Sequence, residues 1–295
     1  MTTLNVIGAG RAGRVIARRL HDAGCCDILA VCNRSLDSAQ AAVDWIGHGL
    51  AVSELSRLPR AQAWLIAAPD DEIEAVAARL ADLGALDAGQ LAFHLSGAKP
   101  ATALVALAQQ GVQTASLHPL QSFAAPGLSH AGFTGTYCAL EGDQAAVDRL
   151  RPWVEAIGGH AFTVASADKA LYHAAAVLAC NDLVALLETS LRCFEQAGLA
   201  RPQAIEALQP LLRGTLDNVS RLGTVQALTG PVARGDAGVV AHHQAAIAAR
   251  LPAVLPTYRA LGWVALELAT ARGQLPAERL AALRDTLADG PPSRS

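Results

Sequence analysis

Hydrophobic positions in the first half of the chain fall into short runs that alternate with helical patterns. Strands that alternate with helices of about ten residues or more indicate βαβ units and a mainly parallel sheet. The strand runs are almost continuously apolar, as expected for strands that are covered on both faces. The predicted strands are 4–8, 27–32, 51–53, 63–68, 90–95, 112–117, 136–141 and 160–164, and the predicted helices are 11–23, 37–46, 71–83, 100–110 and 143–157.

The pattern changes near residue 166, where long stretches rich in Ala and Leu replace the strand runs. Both residues are strong helix formers, and the predicted helices are 167–197, 202–221, 236–250 and 252–271. We therefore predict an α/β fold in which a Rossmann-like, doubly wound, mainly parallel sheet (1–165) is followed by an all-α C-terminal domain (166–288) and a frayed tail (289–295). The first of these helices is apolar nearly all round, which predicts that it is buried, in a dimer core.

A glycine fingerprint follows the first predicted strand and opens the first helix. Gly8, Gly10 and Gly13 stand in the spacing G-x-G-x-x-G, in which the glycines provide a tight turn, close approach to a pyrophosphate, and close helix–strand packing. Arg11 and Ala12 lie inside the same loop, and Arg11 adds a charge contact. The helix N-terminus also favours phosphate binding. The loop predicts a dinucleotide site; the alternative is a glycine turn whose ligand has been lost.

The end of the second predicted strand indicates which dinucleotide is bound. An NAD site places a carboxylate there to bind the ribose hydroxyls, but this chain has Asn33, Arg34 and Ser35. A guanidinium and a hydroxyl suit a 2′-phosphate, so the stretch predicts NADP. The alternative is that Arg34 is an ordinary solvated arginine. Ala67, Ala68 and Pro69, at the end of the fourth strand, are predicted to form a wall beside the nicotinamide half of the cofactor.

Candidate reaction residues occur after two later strands and on the first C-terminal helix. His118 and Ser96 follow apolar strands, and ligands of open α/β sheets bind beyond such strand ends. Lys169, one of two lysines, and His173 lie four residues apart on the helix. We predict that His173 or Lys169 is the proton partner and that His118 and Ser96 position the substrate or nicotinamide. The alternatives are structural histidines and a surface Lys169.

Composition and charge exclude several classes of protein. A net charge of -3 provides no basic footprint for nucleic acid. The six cysteines include no C-x-x-C pair, which is typical of thiols in a reducing compartment. No uninterrupted run of eighteen apolar residues occurs, so we predict no membrane span and a cytoplasmic location. The adjacent His242 and His243 point about 100° apart on a helix and make a poor metal pair, so we predict no metal.

Several motifs together resemble a known family. They are the glycine fingerprint, NRS (33–35), APDDEI (68–73), HLSGA (94–98), SLHPLQSF (116–123), the Tyr172–His173 pair and LTGPVARGD (228–236). In this order they resemble bacterial Rossmann-like NADP oxidoreductases with a C-terminal helical domain of unknown function, and the resemblance covers nearly the whole chain. That family is similar in architecture to pyrroline-5-carboxylate reductase, deazaflavin-dependent NADP oxidoreductase and the β-hydroxyacid dehydrogenases. The resemblance implies an NADP domain, a helical dimerisation domain and a pocket between them.

The chain departs from these relatives where their substrates are recognised. β-Hydroxyacid dehydrogenases carry a Lys and an Asn one helical turn apart; Lys169 and His173 match that spacing, with His in place of Asn. The glycine-rich lead-in to that lysine is replaced by VASADK. The resemblance therefore identifies no particular substrate.

Three functions are compatible with these features. The first is an NADP-dependent oxidoreductase that transfers a hydride between NADP(H) and a small carbonyl or imine substrate. The second is a non-catalytic NADP-binding sensor or partner-binding protein. The third is a structural dimer with a vestigial nucleotide site.

Overall fold

A single eight-stranded sheet forms the centre of the first part of the chain. The computed structural model describes residues 1–123 and 133–288, so the tail predicted to be frayed lies outside the described residues. The strands are β1 (Thr2–Ile7), β2 (Cys26–Cys32), β3 (Leu50–Val52), β4 (Ala63–Ile66), β5 (Leu91–His94), β6 (Gln113–Pro119), β7 (Tyr137–Gly142) and β8 (His160–Thr163).

The strand order is β3-β2-β1-β4-β5-β6-β7-β8, and only the β6–β7 pair is antiparallel. The order therefore reverses between β1 and β4, which is the position where doubly wound sheets open a ligand crevice. The helices of this part are α1 (Arg11–Asp22), α2 (Leu36–Ile46), α3 (Ile73–Asp82), the short α4 (Val105–Ala108) and α5 (Gln144–Ala156). The predicted Rossmann-like, mainly parallel sheet is confirmed.

Two hydrophobic layers cover the two faces of this sheet, because alternate side chains of each strand point in opposite directions. On β4, Leu65 belongs to the layer that contains Ile16 of α1, whereas Trp64 and Ile66 belong to the layer that contains Leu80 of α3. The strands are thus buried on both sides, which explains their almost continuous apolar runs.

The rest of the described chain is helical. Its helices are α6 (Lys169–Gln196), α7 (Arg201–Ala227), α8 (Gly230–Arg234), α9 (Ala237–Arg250), α10 (Leu255–Arg272) and α11 (Ala277–Ala288). The all-α character of this region is as predicted, although α8 and α11 were not predicted. The predicted helix 100–110 is reduced to α4 behind a 3₁₀ turn, and α7 contains Gly223 in a non-helical conformation.

The chain forms two compact units, Met1–Asn181 and a second unit that begins at Asp182. Their boundary lies inside α6, further along than residue 165, where the strand pattern ends. The reason is that the first turn of α6 bonds to the sheet region: Lys169 is 2% exposed and donates hydrogen bonds to Ser116 of β6 and to the Ser96 carbonyl after β5.

On the single chain, α6 contains many exposed side chains apart from Lys169, and its predicted burial in a dimer core stays a prediction. Leu171 and Leu178 are 75% and 67% exposed. The described residues contain one helix, Ser166–Gln196, that is long and apolar enough to cross a membrane by length and composition alone. The criterion of eighteen uninterrupted apolar residues does not identify this helix, because isolated polar residues interrupt its apolar sequence.

Candidate functional site

The three fingerprint glycines each meet a different steric demand. Gly8 has φ +76°, and a Cβ there would lie 2.7 Å from the Ala68 backbone nitrogen. A Cβ on Gly13 would lie 2.7 Å from the Ala67 Cβ, so this glycine lets α1 pack closely. At Gly10 the nearest heavy atom would be 3.9 Å away, so its missing side chain leaves open space. These are the turn, packing and approach roles expected of a dinucleotide loop.

A groove of about 600 Å³ lies at the carboxyl ends of β1 and β2 and is called the dinucleotide groove below. Its lining includes six of the residues predicted to bind the cofactor, namely Gly8, Gly10, Asn33, Arg34, Ala68 and Pro69. Sequence reasoning missed several other lining residues, among them Arg14, Ser38, Ser53, Glu72 and Arg79. The open face of Gly10 and the cationic side chains of the groove fit a dinucleotide phosphate.

Asn33 and Ser35 shape the groove through hydrogen bonds within the protein. Asn33 Oδ1 accepts from the Ala9 backbone N–H (2.8 Å), and its Nδ2 donates to the Ser38 carbonyl (2.8 Å). Ser35 caps α2, since its Oγ accepts from the Ser38 backbone N–H. Asn33 therefore joins the glycine loop to the start of α2, and Ser35 is not among the residues that line the groove.

Arg34 and Arg79 are the exposed cations that line the dinucleotide groove. Arg34 directly follows the strand, whereas Arg79 lies on α3 and reaches the groove from the other side of β1. Burial raises the pKa of the Cys32 thiol at the end of β2, and the charge of Arg79 opposes that rise. Arg79 thus acts close to the position of Arg34. No local sequence motif identifies Arg79, because α3 comes near the end of β2 only through the order of the strands.

A second cavity, of about 950 Å³, is called the histidine cavity. Its lining includes Arg11, His118, Phe162, Tyr172 and His173. Of the predicted site residues, the structure therefore brings Arg11, His118 and His173 together here. Ala12 of the glycine loop is half-buried and lines neither cavity.

His118 and Tyr172 form the central polar contact of the histidine cavity. His118 Nδ1 lies 2.8 Å from the Tyr172 hydroxyl, and the His118 and His173 ring centroids are 5.6 Å apart. Burial lowers the pKa of His118 to about 4, assisted by His173 and Lys169. Burial raises the pKa of Tyr172 to about 12. At neutral pH the imidazole is therefore uncharged and the phenol keeps its proton.

Gly97 lies in the turn after β5, and its missing side chain leaves room for the imidazole rings of His118 and His173. A Cβ on Gly97 would collide with His173 Nδ1 and lie 2.7 Å from His118 Nε2. Within the described residues, His173 Nδ1 is buried without a hydrogen-bond partner. Sequence reasoning did not assign a role to Gly97 or Tyr172, although both stand in motifs, LSG and YH, that it identified.

The structure places the remaining two predicted reaction residues outside the lining of the histidine cavity. Lys169 Nζ lies in a buried network and donates to Ser116 Oγ (2.6 Å) and to the Ser96 carbonyl (3.0 Å). Ser96 Oγ accepts from the backbone N–H groups of Ala98 (3.2 Å) and Lys99 (2.9 Å), so it shapes the turn. These contacts support neither a proton-donor role for Lys169 nor a substrate contact for Ser96.

Over residues 1–123 and 133–288, no group of three or more His, Cys, Asp or Glu side chains is placed to hold a metal ion. His242 and His243 were predicted to make a poor metal pair. In the structure, His243 Nδ1 lies 2.9 Å from the Tyr258 hydroxyl.

The sheet order and the glycine loop define a Rossmann-like protein. A Rossmann-like domain model matches residues 2–119, and a model of a domain of unknown function, DUF2520, matches residues 136–264. The chain thus combines a Rossmann-like domain with a DUF2520 domain, which confirms the resemblance seen in its motifs. No curated protein matches the chain.

Solved structures share this architecture over nearly the whole chain. Protein TM1727 from Thermotoga maritima is 26% identical, with a TM-score of 0.71 over 92% of this chain and 100% of that one. BF3122 from Bacteroides fragilis, provisionally called an NADP oxidoreductase, is 20% identical, with a TM-score of 0.71 over 93% and 98%. A 1-pyrroline-5-carboxylate reductase from Streptococcus pyogenes is 16% identical, with a TM-score of 0.60 over 97% and 96%. The last two likenesses show the fold alone.

Proposed function

We propose that the protein is an NADP-dependent oxidoreductase that transfers a hydride between NADP(H) and a small carbonyl or imine compound. The observation that carries this proposal is that two cavities flank one loop. Gly10 lines the dinucleotide groove, and the next residue, Arg11, lines the histidine cavity. A dinucleotide held along the loop would therefore have groups for binding on one side and groups for proton transfer on the other. Two structural neighbours, BF3122 and the pyrroline-5-carboxylate reductase, bear the names of oxidoreductases, which agrees with this proposal.

The dinucleotide groove fits a 2′-phosphate better than a bare ribose. The end of β2 carries no carboxylate, and Arg34 with Arg79 supplies two guanidinium groups there. Guanidinium groups bind phosphate through paired, charge-assisted hydrogen bonds. When bound, NADP(H) supplies or accepts the hydride, so the protein has to orient the reactants and move a proton.

The histidine cavity can provide that proton. The Tyr172 hydroxyl keeps its proton at neutral pH and lies against the uncharged His118 ring. In a reduction, Tyr172 would donate to the substrate oxygen or nitrogen, and His118 would orient its hydroxyl. His173, which lines the same cavity, is a second group for binding the substrate.

The cavity lining also limits the class of substrate. Phe162, Val177 and several alanines form apolar walls, and the described lining contains no acidic residue. Such a pocket offers no ion pair to a cationic amine. It suits a small, largely apolar molecule with one polar reactive group.

We expect Arg34→Ala to weaken NADPH binding about 10-fold to 100-fold and to leave NADH binding unchanged. A hydrogen bond to a charged group contributes roughly 1.5–3 kcal/mol, and each 1.4 kcal/mol corresponds to about tenfold in Kd. Arg79→Ala should show the same selectivity with a smaller effect. The measurement is the Kd of both dinucleotides by titration calorimetry or by fluorescence.

Arg60→Ala is the matched control, because Arg60 is exposed, pairs with Asp87 and lies outside the groove lining. Equal loss of NADPH and NADH affinity in Arg34→Ala, or equal affinities in the natural protein, contradicts the NADP assignment. Tight NADPH binding without turnover on a panel of small carbonyl and imine compounds supports the sensor function instead.

We also propose that the protein forms a homodimer through its helical region. Exposed leucines are frequent on α6 and α7, among them Leu178 (67%), Leu211 (61%) and Leu216 (59%). Helices that expose several large apolar side chains in this way are typical of interaction surfaces. We expect light scattering to give the mass of a dimer, and Leu178→Glu combined with Leu216→Glu to give a monomer.

Leu83→Glu is the control for this test, since Leu83 is 49% exposed but follows α3 of the sheet. A monomeric natural protein contradicts the proposal. Flotation of the natural protein with lipid vesicles, lost in the double variant, would assign the surface to a membrane instead.

A further inference from the structure

Lys169 is a buried cation in a protein whose other described lysine, Lys99, is paired at the surface with Glu74 (2.7 Å). The Lys169 residue is 2% exposed. Its ammonium donates to Ser116 Oγ on β6 (2.6 Å) and to the carbonyl of Ser96 after β5 (3.0 Å). A buried charge requires such partners, because desolvation is costly.

Glu141 on β7 completes the network. It is 4% exposed, and its Oε2 lies 3.8 Å from Lys169 Nζ. The same oxygen accepts from Ser116 Oγ (3.0 Å) and from the Ala101 backbone N–H (2.8 Å), while Oε1 accepts from Ser166 Oγ (2.6 Å). Ser116 therefore bridges the two charges. Buried ion pairs contribute little net stability, so their main effect here is to fix geometry.

The network fixes the start of α6 and, with it, the side chains one turn further on. Tyr172 and His173 follow Lys169 by three and four residues, a spacing that places all three side chains on one helix face. Lys169 bonds to Ser116 on β6 and to Ser96 after β5. His118 is on the same strand β6, and its Nδ1 lies 2.8 Å from the Tyr172 hydroxyl. A rotation or shift of the first turn of α6 would separate the Tyr172 hydroxyl from the His118 ring.

We propose that Lys169 is a positioning residue for the histidine cavity: by bonding to Ser96 and Ser116, it holds α6 in the register that places Tyr172 and His173 against His118. A role for Lys169 in the reaction rests on the proposed function, whereas its positioning of Tyr172 and His173 does not. Lys169 also places a positive charge near His118. His173 and Asp70 also act on His118 through their charges, Tyr172 contacts its ring, and Arg11 lines the same cavity.

The test compares the ring signals of His118 in the full-length protein without cofactor. Lys169→Met removes the charge at nearly constant length, and Lys99→Met is the control. Histidine ring ¹H–¹⁵N spectra, assigned with His118→Gln, report both the titration of His118 and the bond at its Nδ1. We expect Lys169→Met to raise the pKa of His118 only slightly, because burial, the main cause of its lowering, remains, and to remove the Nδ1 signature of the Tyr172 contact. NADPH affinity should stay within about twofold.

A folded Lys169→Met protein with the natural His118 titration and the natural Nδ1 signature overturns the proposal. A residue with only a general structural role would change the melting temperature without this local signature. If Lys169→Met does not fold, Ser116→Ala replaces it, because it removes the bridging hydroxyl and keeps the charge. An unchanged Nδ1 signature in Ser116→Ala then overturns the proposal. Absence of NADPH binding by the natural protein would refute the proposed function but not the positioning.

Discussion

Gly10→Val is expected to abolish NADPH binding, with a Kd raised at least about 100-fold, while the protein stays folded. In the structure a Cβ at Gly10 would meet no heavy atom closer than 3.9 Å, and its backbone φ of −72° is accessible to any residue. The Cβ of an added side chain therefore has room within the protein. It projects into the space that the second fingerprint glycine leaves for the pyrophosphate. Calorimetric titration with NADPH, together with a thermal melt, measures both parts of this expectation.

Gly13→Val provides the opposite control within the same motif. A Cβ at Gly13 would lie 2.7 Å from the Ala67 Cβ, so a larger side chain overpacks the contact between α1 and β4. Overpacking of this kind costs about 1–3 kcal/mol of unfolding free energy, and the melting temperature should fall. If Gly10→Val still binds NADPH normally, the groove is not the cofactor site; a fall in melting temperature as large as that of Gly13→Val would instead show that Gly10 is needed for folding.

Gly97→Ala is expected to reduce turnover at least about 100-fold while NADPH still binds with nearly natural affinity. The added methyl group would collide with His173 Nδ1 and approach His118 Nε2 to 2.7 Å. Both rings must then move, and the contact between His118 and Tyr172 cannot keep its 2.8 Å geometry. Misplacement of a proton donor by about 1 Å can cost roughly 100-fold in rate. The dinucleotide groove does not include Gly97, so cofactor affinity is spared.

The measurement is NADPH oxidation with the best compound from a carbonyl and imine panel, followed for the natural protein and the variant. Gly84→Ala serves as the control, since no heavy atom lies within 4 Å of a Cβ there, although its φ of +54° adds some strain. Tyr172→Phe tests the same contact without added volume and should also lower turnover. Natural turnover in Gly97→Ala would show that the reaction does not use the histidine cavity.

Much of the fold could be predicted from the sequence because its determinants are local. Apolar runs of strand length, the glycine spacing after the first run, and the Ala- and Leu-rich stretches after residue 166 indicated the sheet, the dinucleotide loop and the helical region. The same reasoning brought Arg11, His118 and His173 into consideration, and the structure places all three around one cavity. It was less accurate where a helix depends on its surroundings, as in the predicted helix 100–110, of which only α4 forms beyond a 3₁₀ turn.

The candidate site contains residues whose proximity only the tertiary structure decides. Arg79 reaches the end of β2 because α3 follows β4, and β4 lies beside β1 in the sheet. The Tyr172 hydroxyl meets His118 because α6 begins against β5 and β6. In sequence, Lys169 lies four residues before His173, a spacing that suggested a reaction residue. In the structure, its ammonium group donates hydrogen bonds to Ser96 and Ser116.

The sequence by itself determined most of the element types, the glycine loop and the absence of an acid at the end of β2, since each depends on neighbouring residues. The tertiary structure decided which polar side chains share a cavity and which are buried in a network. The physical reason is that a hydrogen bond such as that between Lys169 and Ser96 joins residues 73 positions apart. Whether an ammonium faces a cavity or a carbonyl therefore depends on how the strands and helices pack, and no local pattern encodes it.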